Sequence, residues 1–288
     1  MKHSILLTVF DREAEVLLRT LKCLRECDLA DTEVVVVNDG SGMSYEWARD
    51  YVRSNFERGV WHDMEPYEAW RAANGMNNPA RAFNKALMLA EGETVVAMSS
   101  DVMVPPRTMA RMKKIKTSEM LWTPFVEDTH GEQPLLGHYC GPKRLFPMPW
   151  FLAMSREHVL EVGGWDETYL NGVNYEDNDF VGRVALRTGG FMGDWAYKVF
   201  HQGHVQPAAN MADDEIRAAT ARNKEWTKEK WGGIPFDSEF TPFDVSRRMH
   251  PSGNPVHVCT ARPEKLARAV EMTTGLVKDK GVADAVSR

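Results

Sequence analysis

Cysteine is scarce in this 288-residue chain: Cys23, Cys27, Cys140 and Cys259 are too few and too scattered for a disulfide framework. Cys23 and Cys27 share one face of a helical segment. No second Cys or His pair has finger-like spacing, so buried thiols are expected rather than a zinc centre. Long apolar runs are missing too, and none approaches the ~20 residues needed to span a bilayer. Near the start, "SILLTVF" meets charge at once and no small-residue cleavage site follows. A first strand and a soluble, cytoplasmic protein are therefore expected. There is no internal repeat and no low-complexity tract. With 43% hydrophobic and 26% charged residues, the chain can bury a sizeable core.

Positive charge is in deficit overall. The formal net charge of -6 argues against indiscriminate binding to polyanions. What base there is clusters: Ser246–Arg288 holds eight Lys/Arg against four Asp/Glu, and Arg107, Arg111, Lys113, Lys114 and Lys116 lie together mid-chain. Solvated faces are the default reading of both clusters.

The pattern that is present is α/β. "SILLTVF" (4–10) and "EVVVVNDGSG" (33–42) are continuous apolar runs, as expected of strands covered on both faces. Between them "EAEVLLRTLKCLREC" has helical spacing, with Asp11 as a candidate N-cap. Such a βαβ unit predicts a parallel pair with a right-handed crossover. Helix and strand then alternate through "SYEWARDYVRSNF", "GVWHD", "NPARAFNKALMLAEG", "ETVVAMSSD" and "PPRTMARMKKIK". Further strands are predicted at "MLWTPFV", "WFLAMS" and "FMGDWAYKVFH", and helices at "REHVLEVGG" and "DNDFVGRVALRTGG". Residues 127–149 read as a long Pro- and Gly-rich loop of the kind that binds or covers a ligand. Residues 234–262 read as irregular, followed by a helix at 263–278.

In open α/β sheets ligands bind beyond the carboxyl ends of the strands. Three strands end in polar groups there: Asn38-Asp39-Gly40-Ser41, Ser99-Ser100-Asp101, and His201-Gln202-Gly203-His204. Carboxylate, imidazole and phosphate oxygens together suit a divalent cation such as manganese. In "NYEDNDF" three acids, Glu176, Asp177 and Asp179, crowd a helix start. They could complement the helix dipole, or one could take a proton in catalysis.

The order of these pieces resembles the GT-A glycosyltransferases, especially inverting family 2, with a galactosyltransferase-like C-terminal module. "LLTVFDRE" is similar to the family's first strand and polar turn. "NDGS" at 38–41 is its nucleoside-binding turn, and "RAFNKAL" resembles its "ARN" helix start. "GGWDETYLNGVNYEDNDF" matches its "GG(F/W)DE…ED" signature, "VFHQGH" its late metal-ligand histidine, and Asn223 with Lys230-Trp231-Gly232 its closing motif. The resemblance implies a GT-A domain over 1–233, with a Rossmann-like mixed central sheet, and a C-terminal extension over 234–288.

It further implies transfer of a sugar, a hexose by type, from a nucleotide-sugar donor (a UDP-sugar by preference) to an acceptor hydroxyl with inversion. Thr8, Phe10, Arg12, Asp39, Gly40, Ser41, Arg81, Asn84, Ser100 and Asp101 are the implied donor contacts. Asp177 is the implied base, with Glu176, Trp165 and Asp166 at the acceptor and Asp179 capping the helix. Asp101 and His201, with His204 as the alternative, are the implied ligands of a divalent cation, Mn2+ before Mg2+. The family's Asp-x-Asp is "SSD" here, so only its last acid, Asp101, remains. A glycan, or a nucleic acid carrying a hydroxylated base, is the expected acceptor class. The rivals are an inactive nucleotide-sugar-binding module and a nucleotidyltransferase. The latter would need a Gly-rich, Lys/Arg-bearing loop after the first strand, and "TVFDRE" has no glycine.

Overall fold

The computed structural model of the chain describes residues 1–66, 79–129, 149–169, 174–203, 213–237, 242, 244–249, 253, 255–273 and 276. Its first half alternates β1 (His3–Val9), α1 (Ala14–Arg25), β2 (Thr32–Asn38), α2 (Glu46–Asn55), β3 (Gly59–Asp63), α3 (Pro79–Leu89) and β4 (Thr94–Ser99). Next come β5 (Val102–Met103), α4 (Pro106–Met112), β6 (Leu121–Asp128), β7 (Phe151–Ser155) and α5 (Arg156–Glu161). The last part holds α6 (Glu176–Thr188), β8 (Gly190–His201), α7 (Asp213–Trp231), β9 (Asp244–Met249), β10 (Pro255–Thr260) and α8 (Pro263–Glu271).

All of these strands join one mixed sheet in the order β3-β2-β1-β4-β7-β6-β8-β10-β9, with β5 added on β8. β1 lies parallel between β2 and β4, as the βαβ pattern predicts, and β7 turns antiparallel to β4. Side chains of β1 alternate between two cores. Ile5, Leu7 and Val9 meet Leu17, Leu21 and Leu24 of α1 and Val52 of α2. Leu6 belongs to the opposite core, which includes Ala82, Ala86 and Leu87 of α3 and Val181 and Val184 of α6. Helices therefore cover both faces, which is why the strands read as unbroken apolar runs. Among the described residues no helix is long and apolar enough to cross a membrane.

The structure departs from the sequence reading in four places. Residues 244–260, expected to be irregular, contain β9 and β10, which pair antiparallel and extend the sheet beyond β8. The outer strand, "DVSRRM", is solvated along most of its length, so it carries no apolar alternation to read. The following helix ends at Glu271 rather than 278. α7 was not predicted because its buried residues, Ala219, Asn223, Thr227, Lys230 and Trp231, keep helical spacing but are mostly polar. Asp11 is not a helix cap: with φ 40° it turns the chain, and its N–H donates to Ser41 Oγ at 3.0 Å. Of the expected loop, residues 130–148 lie outside the described residues.

Candidate active site

Parallel pairing sets the site's level. Val9 is opposite Asn38 and Thr8 opposite Ser99, so β1, β2 and β4 all end at one edge. At that edge the 38–41 turn is locked from both sides. The Asp39 N–H donates to the Val9 carbonyl at 2.8 Å, and Asn38 Nδ2 donates to Asp63 Oδ1 at 3.0 Å. Gly40 sits at φ 65°, in the left-handed region that glycine takes without strain. The β1 exit is tied to the same turn by Asp11, and the Tyr45 hydroxyl donates to the Arg12 carbonyl at 2.7 Å. Thr8 and Phe10 lie half-buried at this exit, and Asp39 is buried.

A second cluster forms around Asp101. The short strand β5 pairs Val102 with His201, and the Gln202 N–H donates to the Asp101 carbonyl at 2.8 Å. This pairing brings His201 Nε2 to 3.7 Å from Asp101 Oδ2. Arg12 Nη2 reaches the same carboxylate oxygen at 3.0 Å. The Trp150 ring lies edge-on to the His201 ring at 4.0 Å. Gln202 explains the "HQ" spacing: its amide donates to Thr20 Oγ1 and the Val16 carbonyl, while Thr20 Oγ1 donates to the Ser100 carbonyl. Helix α1 thus braces the loop that carries Ser100 and Asp101.

Among the described residues no three His, Cys, Asp or Glu side chains converge into a metal cage. The Asp101–His201 separation is nevertheless close to what two ligands at ~2.0–2.2 Å from one cation would span. Carboxylate and imidazole are suitable donors for a divalent ion whose remaining positions are filled by phosphate oxygens. The pair therefore fits such an ion with a diphosphate as co-ligand. His204 lies outside the described residues.

The "GGWDE" segment is built into a buried ion network. Asp166 is buried, with Oδ2 receiving Lys230 Nζ at 2.8 Å and Trp226 Nε1 at 3.2 Å. Burial pushes its carboxyl upward, but the Lys230 ammonium overcomes this and holds it below the usual carboxylate range. Lys230 also meets Asp179 Oδ1 at 2.9 Å, and Arg183 grips Asp179 Oδ2 through Nε and Nη2. All four of these side chains are fully buried. Trp231 Nε1 completes Asp179, and Arg183 Nη1 donates to the carbonyls of Val162 and Gly164. Asp179 is therefore the centre of an ion network rather than a helix cap, with both carboxylate oxygens taken by Arg183, Lys230 and Trp231. Trp165 is buried in a stack between Phe83 and Phe180, and Asp166 is buried beside it.

Asn84 is likewise turned inward. Its amide accepts from the Trp165 N–H at 2.8 Å and donates to the Trp165 carbonyl and Glu167, which consumes it in holding that segment. Arg81, one turn earlier, reaches Glu65 Oε1 at 2.6 Å. Gly164 lets the segment approach: its φ is 67°, and a Cβ there would lie 2.4 Å from Asn84 Oδ1. Gly164→Ala should therefore destabilise the fold by at least about 1–3 kcal/mol. An unchanged denaturation midpoint would contradict this placement.

Above the ion network, Asn174 (φ 63°) and Tyr175 (φ 73°) make two successive left-handed steps into α6. Side chains of this kind hold that conformation only when their surroundings enforce it. Here Asn223 Nδ2 donates to the Asn174 carbonyl at 3.4 Å, and the Asp179 N–H donates to the Tyr175 carbonyl at 3.0 Å. The turn delivers Glu176 buried and Asp177 half-buried at the helix start. Among the described residues Glu176 Oε2 receives no hydrogen bond. Burial raises both carboxyls above their ordinary range, and the Asp177 charge raises Glu176 further. Two carboxyls that ionise reluctantly are suited to taking up a proton near neutral pH.

The mid-chain basic helix is partly engaged with the fold. Arg111 pairs with the fully buried Asp194 at 2.8 Å, and Arg107 donates to the Ala196 carbonyl. Both guanidinium groups lie over the Tyr197 ring.

Comparison with known proteins agrees with this architecture. The family described as Glycosyl transferase family 2 matches residues 4–118, which hold the 38–41 turn and Asp101. No curated protein matches the sequence. Among solved structures, TarS of S. aureus in complex with UDP-GlcNAc superposes with a TM-score of 0.59 at 16% identity, over 79% of this chain and 67% of that one. GalNAc-T7 with UDP, GalNAc and Mn2+ gives 0.58 at 12% identity, over 80% of this chain and 49% of that one. Mannosyltransferase PcManGT from Pyrobaculum calidifontis, in complex with GDP-Man and Mn2+, gives 0.50 at 17% identity, over 75% and 61%. The chain spans about half of the GalNAc-T7 chain. From its strand order to the edge where its polar turns meet, this is a GT-A fold, and its first 118 residues contain the family 2 glycosyltransferase match.

Proposed function

We propose that this protein transfers a sugar from a nucleotide-sugar donor, a UDP-sugar by preference, to an acceptor hydroxyl with inversion. The observation that carries this reading is the meeting of Asp101, His201 and Arg12 beside the 38–41 turn, at the carboxyl edge of the parallel strands. Solved neighbours of the same fold hold UDP-GlcNAc, or UDP with Mn2+, which supports a nucleotide-sugar donor and a divalent cation. The nucleoside would lie on the Asp39-Gly40-Ser41 turn, with Thr8 and Phe10 beside it.

Asp101 and His201 would hold the divalent cation, whose chemistry is to neutralise charge on the departing diphosphate. Asp177 takes the proton from the acceptor hydroxyl. The acceptor oxygen then forms its bond to the sugar's anomeric carbon as the bond to the diphosphate oxygen breaks. The electron pair of that bond leaves with the nucleoside diphosphate. The reacting centre is oxocarbenium-like, as in glycoside hydrolysis. Glu176, beside Asp177 and slow to ionise, would contact the acceptor.

Asp101→Ala and His201→Ala should each remove stimulation by manganese and weaken donor binding. Apparent manganese affinity should fall by at least the ~10–100-fold that even outer-shell partners of a metal cost. The check is a manganese titration of nucleoside diphosphate release for each variant beside the parent. Parental metal dependence in both variants would remove these residues from the site. Donor binding by the parent with no turnover for any acceptor would favour an inactive binding module instead.

A further inference from the structure

Resting on the nucleotide-sugar reading, we infer that Arg12 is a diphosphate-binding residue whose guanidinium lets the site hold the donor's diphosphate without a divalent cation. Its position in the fold comes first. Asp11, its chain neighbour, is bonded to Ser41 in the turn proposed for the nucleoside, while the Arg12 side chain reaches Asp101. Arg12 thus spans the interval between the nucleoside turn and Asp101. A diphosphate joining nucleoside to sugar has to cross that same interval.

Charge is the second consideration. "SSD" leaves one carboxylate where the resembled family has two, and Arg12 Nη2 lies 3.0 Å from its Oδ2. Asp101 and Arg12 together are formally neutral, whereas two carboxylates would repel a doubly charged diphosphate until a cation intervened. The Arg12 side chain is 11% exposed, and its Nε makes no hydrogen bond among the described residues. A guanidinium offers five N–H donors in a plane matched to phosphate oxygens, so capacity remains for a second anion. Arg12 also shares Asp101 Oδ2 with His201, so it competes with any cation for that oxygen. Donor binding relieves the competition, because phosphate oxygens give the guanidinium another partner.

The test is calorimetric binding of uridine and of UDP to the full chain, in excess chelator and in excess manganese. The parent should bind UDP in chelator within about tenfold of its manganese value. Arg12→Ala should lose about 10–100-fold in UDP affinity in chelator, the worth of charge-assisted hydrogen bonds. Its loss should be smaller in manganese, and uridine binding should not change. Arg12→Lys, which keeps the charge without the fork, should fall between the two, and a parental denaturation midpoint shows that each variant is folded. Direct titration with manganese alone should give tighter binding in Arg12→Ala than in the parent. If uridine and UDP bind in manganese but UDP fails in chelator, and Arg12→Ala behaves as the parent, the inference is wrong while the nucleotide reading stands. If neither ligand binds the parent under any condition, the nucleotide reading falls and takes the inference with it.

Discussion

Asp177→Asn is expected to lower sugar transfer by about 100-fold or more, because the amide keeps the shape of the carboxylate but cannot accept the acceptor's proton. Donor binding should stay within a few-fold of the parent, since Asp177 is not among the residues proposed to hold the donor. The pH profile gives a second readout. Burial raises both carboxyls of the 176–177 pair, so the acid limb of kcat/KM should fall above the ordinary carboxylate range. Stability should move the other way. A carboxyl whose folded pKa is raised contributes its full stability only below its unfolded pKa and loses it as pH rises through the folded value. Asp177→Asn should therefore match the parent in stability at acidic pH and exceed it progressively as pH approaches and passes neutrality. Near-parental transfer by this variant would leave Asp177 as an acid at a helix start and nothing more.

The largest structural effect is expected in the buried ion network. Asp166, Asp179, Arg183 and Lys230 balance two charges of each sign at full burial. Asp179→Ala leaves two cations facing one anion in a region that water cannot reach. Removing one partner of a buried pair typically costs about 3–5 kcal/mol, and that is the expected loss. Asp179→Ala combined with Lys230→Met restores the charge balance between Asp166 and Arg183, so part of the loss should return. Denaturant unfolding of the two variants checks this, and strictly additive losses would show that the charges are not coupled. The network also bears on activity. Asp179 lies two residues beyond Asp177, so the contacts that anchor it fix the first turn of the helix that presents the carboxylates.

Much of the fold was legible from the apolar runs of β1, β2 and β4, because buried parallel strands have few other ways to be written. The 38–41 turn, Asp101 and His201 were legible as polar stops at strand ends. Their meeting was implied by the resemblance alone; no local pattern shows it, since β5 is only two residues long and its pairing with His201 is non-local. The burial of "GGWDE" was not legible, because its signal is the same for a binding residue and for a buried ion. Only the placement of Lys230 and Arg183 decides that Asp166 and Asp179 point inward. α7 was missed for a related reason: Asn223, Thr227 and Lys230 are buried by polar contacts, which apolar periodicity cannot register. The β9–β10 hairpin is an edge whose outer strand is solvated, so its sequence looks like that of a loop.

The most direct test of the account is release of nucleoside diphosphate from a panel of nucleotide sugars, run in parallel on the parent and Asp177→Asn with manganese present and pooled hydroxyl acceptors added. The account predicts that the parent releases diphosphate from at least one donor, a UDP-sugar first, and that release rises with acceptor. Asp177→Asn should bind the same donor yet lose the acceptor-dependent part by about 100-fold. No release from any nucleotide sugar, or acceptor-dependent release that is equal in the two proteins, would contradict it.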